Sequence, residues 1–173
     1  MAEEVILVDA QDQALGLMEK MEAHRRGLLH RAFSVFVLNR KGELLLQQRA
    51  AHKYHSGQLW TNTVCSHPRE GEAVEAAAHR RMEEEMGFDC PIQKAFEFTY
   101  RAELDKGMIE HEYDHLFIGH YDHDPEPNPD EVMDFNWQLP SAVERDLQVH
   151  PERYTAWFKI IFQRFTTTLK QSL

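Results

Sequence analysis

Apolar positions along the chain fall into short dense runs and two long periodic stretches, and these patterns predict most of its elements. Residues 5–8 form an apolar run closed by Asp9, which reads as a strand. Residues 32–38 are continuously apolar and partly aromatic or β-branched, the pattern of a buried strand. Asn39, Arg40, Lys41 and Gly42 supply turn chemistry, and residues 43–48 read as the hairpin partner. From Glu72 to Met86 the residues Val74, Ala78, Met82 and Met86 recur every four positions, with Ala77 beside them. That spacing predicts an amphipathic helix with one buried face, ended by Gly87. Residues 92–101 are rich in aromatics and read as extended, and residues 109–121 as a further strand entered through a turn at Gly107. Residues 122–130 contain three prolines and four acids and form a loop. A short strand at 135–137 and a short helix at 141–147 follow. Trp157, Phe158, Ile161, Phe162, Phe165 and Leu169 keep helical spacing and predict a final helix packed on the core. Residues 15–29 are mixed and carry no clear period. Mixed strands and helices place the chain in the α/β (α+β) class, as one domain over residues 1–173.

Composition narrows the class further. With 173 residues, 42% hydrophobic and 28% charged, the chain has the balance of a soluble globular domain with a sizeable core. No run approaches the roughly 18 apolar residues of a membrane span. The N-terminus has neither a basic region nor an apolar stretch of the secretory type, and two cysteines, Cys65 and Cys90, make no disulfide framework. The expected location is therefore the cytoplasm. A net charge of −10 argues against nonspecific nucleic-acid binding, which needs a basic face. A small anionic ligand is still compatible, given a local basic cluster or divalent cations.

Candidate chemistry concentrates at residues 61–72, Thr-Asn-Thr-Val-Cys-Ser-His-Pro-Arg-Glu-Gly-Glu, and in the helix that follows. The thiol of Cys65 stands two residues before the imidazole of His67, and the helix ends in Glu83, Glu84 and Glu85. In a strand over 109–121, period two puts Glu110 and Glu112 on one face, with His111 and Tyr113 on the other. Two carboxylates that close repel unless a cation lies between them, although a solvated strand face is the plain alternative. His24, His30 and His67 with these two carboxylates form a set suited to Mn2+, Zn2+ or Fe2+. Histidines at 111, 115, 120 and 123 are equally available, so residue types alone do not choose among them. A free cysteine is usually an inert buried residue; His67, a metal or a basic loop beside Cys65 would instead lower its pKa. Glu85 could pair with Arg81 one turn away or hold Mg2+ against a phosphate. Lys20, Arg49 and Lys53 are either ordinary surface charges or the basic patch an anion requires.

The segment from Glu72 through Arg80, Met82, Glu84, Glu85, Gly87 and Phe88 resembles the Nudix box, G-x5-E-x7-R-E-U-x-E-E-x-G-U. Ser66 stands at the opening glycine, and Arg81 replaces a glutamate that the hydrolases use to hold metal. A narrower resemblance covers nearly the whole chain. Residues 61–68 (Thr-Asn-Thr-Val-Cys-Ser-His-Pro), 29–33, 110–112 and 131–134 are similar to type 1 isopentenyl-diphosphate isomerases. That resemblance implies a Nudix-type α/β/α sandwich with a mixed central sheet. It also implies an Mn2+ or Zn2+ site of His24, His30, His67, Glu110 and Glu112. A second ion, Mg2+, would be held by Glu85, the Cys65 main-chain carbonyl and the substrate's diphosphate. Lys20, Arg49, Lys53, Ser66 and Arg81 would bind that diphosphate, and Trp157 would face the isoprene chain. Cys65 and Glu112 would move the proton, with Tyr100 assisting. The implied partner is a small isoprenoid diphosphate. A Nudix pyrophosphohydrolase and a non-catalytic diphosphate-binding module are the competing readings.

Overall fold

The computed structural model describes residues 3–171. Its frame is one mixed sheet of nine strands with helices packed on both faces. The strands are β1 (Glu4–Val8), β2 (Ala14–Glu19), β3 (His30–Leu38), β4 (Leu44–Arg49), β5 (Trp60–Thr61), β6 (Val64–Ser66), β7 (Ile92–Glu103), β8 (Ile109–His120) and β9 (Val132–Gln138). The α-helices are α1 (Lys20–Arg26), α2 (Val74–Met86), α3 (Pro140–Val149) and α4 (Ala156–Gln171). The mixed segment that showed no period folds as β2 and α1, and α1 begins where Glu19 caps the Met21 and Glu22 amides at 3.0 and 2.8 Å.

Strand β3 is the spine. It runs parallel to β8, from His30 beside Glu112 to Leu38 beside His120. Its side chains alternate between two cores, as a strand covered on both faces requires. Phe33, Val35 and Val37 join Ala77, Ala78, Met82 and Met86 of α2. Phe36 and Leu38 join Phe158, Ile161, Phe162 and Phe165 of α4. Each such side chain, fully buried, stabilises the fold by roughly 1.5–3 kcal/mol. Ser34, at a polar position in this alternation, faces the α4 side with Phe36 and Leu38.

The expected hairpin of residues 32–48 differs from the observed pairing. β3 and β4 pair only next to the turn, Leu38 with Leu44. Beyond that point β6 takes the place beside β3, and β4 pairs with β9 and β5. The cause is Thr63, fully buried, whose hydroxyl accepts from the Val37 amide at 3.0 Å and donates to the Leu45 carbonyl at 2.7 Å. This side chain replaces a backbone ladder and spreads the two strands apart. Gly87 ends α2 as expected, at φ 69°, with its amide donating to the Glu83 carbonyl at 3.1 Å. A Cβ there would come within 2.2 Å of the Glu126 carbonyl oxygen, so only glycine fits.

Candidate active site

The signature at residues 61–67 works first as a clamp. Asn62 is fully buried and donates from Nδ2 to the Val35 and Val64 carbonyls at 3.0 and 2.9 Å, tying β6 to β3. Its Oδ1 accepts from Thr61 Oγ1 and from the Cys65 thiol, both at 3.0 Å. Cys65 therefore has a fixed direction. On its other side Ser34 Oγ lies 3.5 Å from the sulfur and donates to the buried carboxylate of Asp114, at 2.9 and 3.1 Å from its two oxygens. The expectation that neighbours would lower the Cys65 pKa is reversed. Burial pushes it well up, the charge of Asp114 adds to that, and the hydroxyl and amide of Ser34 and Asn62 only partly offset it. Cys65 is a thiol carrying its proton.

Register builds the rest of the site around Glu112. Parallel pairing sets His30 beside it on β3, and antiparallel pairing sets Tyr100 beside it on β7. Glu112 Oε2 lies 3.1 Å from His30 Nε2 and 2.8 Å from His67 Nε2, and Oε1 accepts from the Tyr100 hydroxyl at 2.7 Å. Burial would raise the Glu112 pKa, but the hydrogen bonds and charges of His30 and His67 hold it well below the usual carboxylate range. Glu110, two residues away on the same face, is pushed well above that range by burial and by the charge of Glu112. Tyr100 also contacts Glu110. One hydroxyl proton serves one acceptor, so the second contact is satisfied when Glu110 is protonated.

The imidazoles are oriented as ligands. His24 Nδ1 donates to the Lys20 carbonyl at 2.7 Å, and His30 Nδ1 to the Leu28 carbonyl at 2.9 Å. Carbonyl oxygens only accept, so Nδ1 is the donor in both contacts and Nε2 of each ring faces inward. His24 is fully buried, its pKa is lowered to about 4, chiefly by burial, and its Nε2 has no hydrogen-bond partner. One ligand atom each from His24, His30, His67 and Glu112 lies within 4.8 Å of the others. Glu110 joins through a second group, with His24 and His55. A set of imidazoles and carboxylates, with the buried Nε2 of His24 unsatisfied, fits a borderline divalent cation. Four of the five residues anticipated as a metal site meet in one group, Glu110 stands in a second that shares His24 with it, and the other candidate histidines, 111, 115, 120 and 123, lie outside both.

Two adjoining cavities flank this cluster. A small space of about 30 Å3 is bounded by Cys65, Glu110, Glu112, Trp157 and neighbouring side chains. Beside it, a cavity of about 150 Å3 brings together Lys20, Arg49, Lys53, Ser66, Arg81 and Glu85. The expected basic patch is present but differs in character. Lys20 pairs with Glu3 and Lys53 with Glu131, both at 2.6 Å, while Arg81 pairs with Glu85 at 3.1 Å and Glu131 at 3.5 Å. Four cations so close would repel one another, and three carboxylates offset that repulsion. Arg49 is the exception: it donates to the His55 carbonyl at 3.1 Å, and its guanidinium lies 5.0 Å from the Trp157 ring centroid. Of the Nudix-box residues, Arg80 binds Glu72 at 2.8 and 2.9 Å and Glu84 at 2.9 Å, so that part of the box fastens the loop to α2.

Sequence reasoning missed Asp114 and His55. Extending the period-two argument by one step from Glu112 reaches Asp114, which is fully buried on the same face. Nothing local marks His55.

Residues 28–158 match the NUDIX domain family. Isopentenyl-diphosphate Delta-isomerase 2 of Photorhabdus laumondii is 53% identical over 161 residues, covering 93% of this chain and 91% of the relative. The isopentenyl-diphosphate Delta-isomerase of Pectobacterium atrosepticum is 50% identical over 161 residues, with 93% and 90% covered. Among solved structures, a Deinococcus radiodurans protein superposes with a TM-score of 0.80 at 19% identity, over 94% of this chain and 98% of its own. A MutT protein from Methanosarcina mazei gives 0.66 at 19% identity, with 82% and 96% covered. Those two likenesses concern the fold alone, whereas relatives at half identity over nearly full length define the family. The chain belongs to the NUDIX superfamily and, within it, to the type 1 isopentenyl-diphosphate Delta-isomerases.

Proposed function

We propose that the protein interconverts isopentenyl diphosphate and dimethylallyl diphosphate by a 1,3-proton transfer, with Cys65 and Glu112 as the proton-carrying groups. The observation that carries these roles is that Cys65, Glu112 and Trp157 line one small cavity, next to a larger one lined by four cationic side chains. In the forward direction the C3–C4 π pair forms a new C4–H bond with a proton from one group. C3 becomes electron-deficient, the other group removes a proton from C2, and that C–H pair becomes the C2=C3 double bond. No other bond changes, so the reaction needs no redox partner.

An unactivated alkene is a very weak base, and the protein has to compensate for that. Positioned proton transfer contributes typically 10²–10⁴-fold. The indole face of Trp157 favours a transient cation by up to ~2 kcal/mol in a desolvated site. Lys20, Arg49, Lys53, Ser66 and Arg81 bind the diphosphate, exchanging carboxylate partners for phosphate oxygens, and this restrains it from leaving as the allylic cation forms. Tyr100, donating to Glu112, positions that carboxylate and assists the proton transfer. Mn2+ or Zn2+ held by His24, His30, His67, Glu110 and Glu112, and Mg2+ held by Glu85 and the Cys65 carbonyl with the diphosphate, supply positive charge when bound that tunes Glu112 and neutralises phosphate.

The test is incubation with isopentenyl diphosphate and divalent metal in D₂O, followed by NMR. Dimethylallyl diphosphate carrying deuterium is expected. Absence of both product and exchange, or release of phosphate from nucleoside diphosphate derivatives, would overturn the reading.

A further inference from the structure

His55 was not among the residues anticipated for the cation site, yet it is held as those residues are. Its side chain is 2% exposed, and Nε2 is buried without a hydrogen-bond partner. Within the described residues only four buried side-chain atoms are in that position, and a second is Nε2 of His24. Nδ1 lies 3.0 Å from Ser56 Oγ, a group able to accept its proton and leave the Nε2 lone pair bare.

The placement of His55 is maintained at some cost in backbone strain. Ser56 has φ 53° and Gln58 φ 69°, left-handed conformations that glycine would adopt more readily. The Ser56 amide donates to Asp105 Oδ1 at 3.0 Å, which pins the turn from another part of the chain. The ring then packs 5.6 Å from His24, 4.3 Å from Tyr54 and 5.5 Å from Trp157 between centroids.

The deciding observation concerns Glu110. Its carboxylate does not lie within 4.8 Å of the ligand atoms of His24, His30, His67 and Glu112 all together, but it does so with those of His24 and His55. His55 therefore stands where Glu110 meets the cluster. His24 has a single free nitrogen, because Nδ1 is engaged with Lys20, so both groups describe one ion rather than two. We propose that His55 is a sixth protein ligand of this cation, entering beside Glu110. Six side chains complete the coordination of a six-coordinate ion and leave no open position. The ion then acts on the reaction only through Glu112 and Glu110, and the substrate is bound elsewhere. This inference rests on the reading that the five other residues hold a cation.

Co2+ is the probe, titrated into the full-length, chelator-treated protein. Each histidine bound through Nε2 keeps an exchangeable Nδ1–H, which gives a strongly shifted proton resonance near a paramagnetic ion. Four such resonances are expected in the unmutated protein, and three in His55→Phe, which retains an aromatic ring against Trp157. Zn2+ affinity measured by calorimetry should fall by at least about tenfold in His55→Phe. Three resonances in the unmutated protein with Co2+ bound would overturn the sixth ligand and leave the five-residue site intact. No Co2+ binding at all would overturn both. The resonance count in unmutated protein needs no variant, so a folding defect in His55→Phe does not weaken the test.

Discussion

The two faces of β8 carry the same kind of residues in alternation and have opposite electrostatics. On the outer face each polar group meets a complementary protein partner. Tyr113 donates to Glu97 at 2.8 Å, His111 Nδ1 donates to the Gly27 carbonyl at 3.2 Å, and His115 sits 2.9 Å from Asp12 and 3.4 Å from Glu97. On the inner face Glu110, Glu112 and Asp114 are 5%, 5% and 0% exposed. Among the described residues, their close ion-pair partners are imidazoles alone, with no lysine or arginine. Three buried carboxylates without a fixed positive partner are costly, and stability would be better served by apolar side chains. The outer face is complete by itself, whereas the inner face is built for something that binds. Substitutions on the two faces should therefore differ in kind: the inner ones change catalysis or metal binding, the outer ones change stability alone.

The largest effect is expected at the centre of the inner face. Glu112→Gln keeps the shape and the Tyr100 contact but cannot carry the proton, and should lower kcat by about 10³–10⁴, equivalent to roughly 4–5 kcal/mol. Cys65→Ala should do the same. Substrate affinity in both should stay within a few-fold, since the diphosphate contacts are untouched. Steady-state kinetics with separate binding measurements checks this, and a Glu112→Gln enzyme retaining a tenth of its activity would break the contrast between the faces.

Acid should reveal the inner face next. In metal-free protein the folded-state pKa values of His24 and His55 lie at about 4 and about 2, below the ordinary value of 6.5. As pH falls below about 6.5 the unfolded chain takes up protons that the folded chain refuses. The stability tied to these neutral rings is thus complete above that pH and is lost as pH drops toward the folded values. Between pH 7 and 5 the loss should reach about 2 kcal/mol for each ring at most. Urea unfolding of chelator-treated protein across this range measures it. His24→Gln and His55→Gln should each flatten the slope, and saturating Zn2+ should raise stability at pH 7 and steepen its loss in acid.

How much of this was legible in the sequence depended on whether the information was local. Helices α2 and α4 were readable because their apolar faces repeat within a few residues. Glu110 and Glu112 could be placed on one face by period two alone. β2 and α1 were hidden because the hairpin is poorly covered, with Leu15 and Leu17 at 68% and 37% exposure, so no alternation of burial was written there. The partners of Glu112 were beyond any local reading. His30 and Tyr100 reach it through strand registers that join positions 82 and 12 apart. The motif Thr61 to His67 pointed to the right residues through family resemblance, but its physical task, spreading β3 from β4 and aiming the Cys65 thiol, emerged only from the packing. The thiol's raised pKa likewise depends on Asp114, 49 positions away, and on burial that a sequence does not display.

Asp114 gives the next test of the inner face. It accepts the Ser34 proton, which leaves Ser34 oxygen as an acceptor toward Cys65 and keeps the thiol between two acceptors. Asp114→Asn can still accept through its amide oxygen, whereas Asp114→Ala frees Ser34 to turn. The alanine variant should lower kcat about tenfold with little change in KM, a cost near 1–2 kcal/mol for one buried hydrogen-bonded contact. The asparagine variant should recover most of it. Equal losses in both would mean that Asp114 serves the fold rather than the thiol.

The smallest effect should come from the outer face, where the pairings look richest. Asp12 has φ 64° and joins the turn between β1 and β2 to the sheet: its side chain meets Arg31 at 2.8 Å and His115 at 2.9 Å, and its carbonyl accepts from Arg31 at 2.7 Å. Because Arg31 holds Asp12 through both side chain and backbone, removing the imidazole leaves the carboxylate paired. His115→Gln should therefore cost only about 0.5–1.5 kcal/mol, the net worth of the one hydrogen bond lost while Asp12 stays paired with Arg31, with kcat unchanged. Asp12→Ala releases both partners and should cost more, still without touching kcat. A double-mutant cycle of these two changes, read by urea midpoints and by turnover on the same samples, tests the comparison at its weak end. If His115→Gln altered turnover, the outer face would have to transmit strain through β8 to Asp114, and the division between a self-sufficient face and a ligand-seeking one would fail.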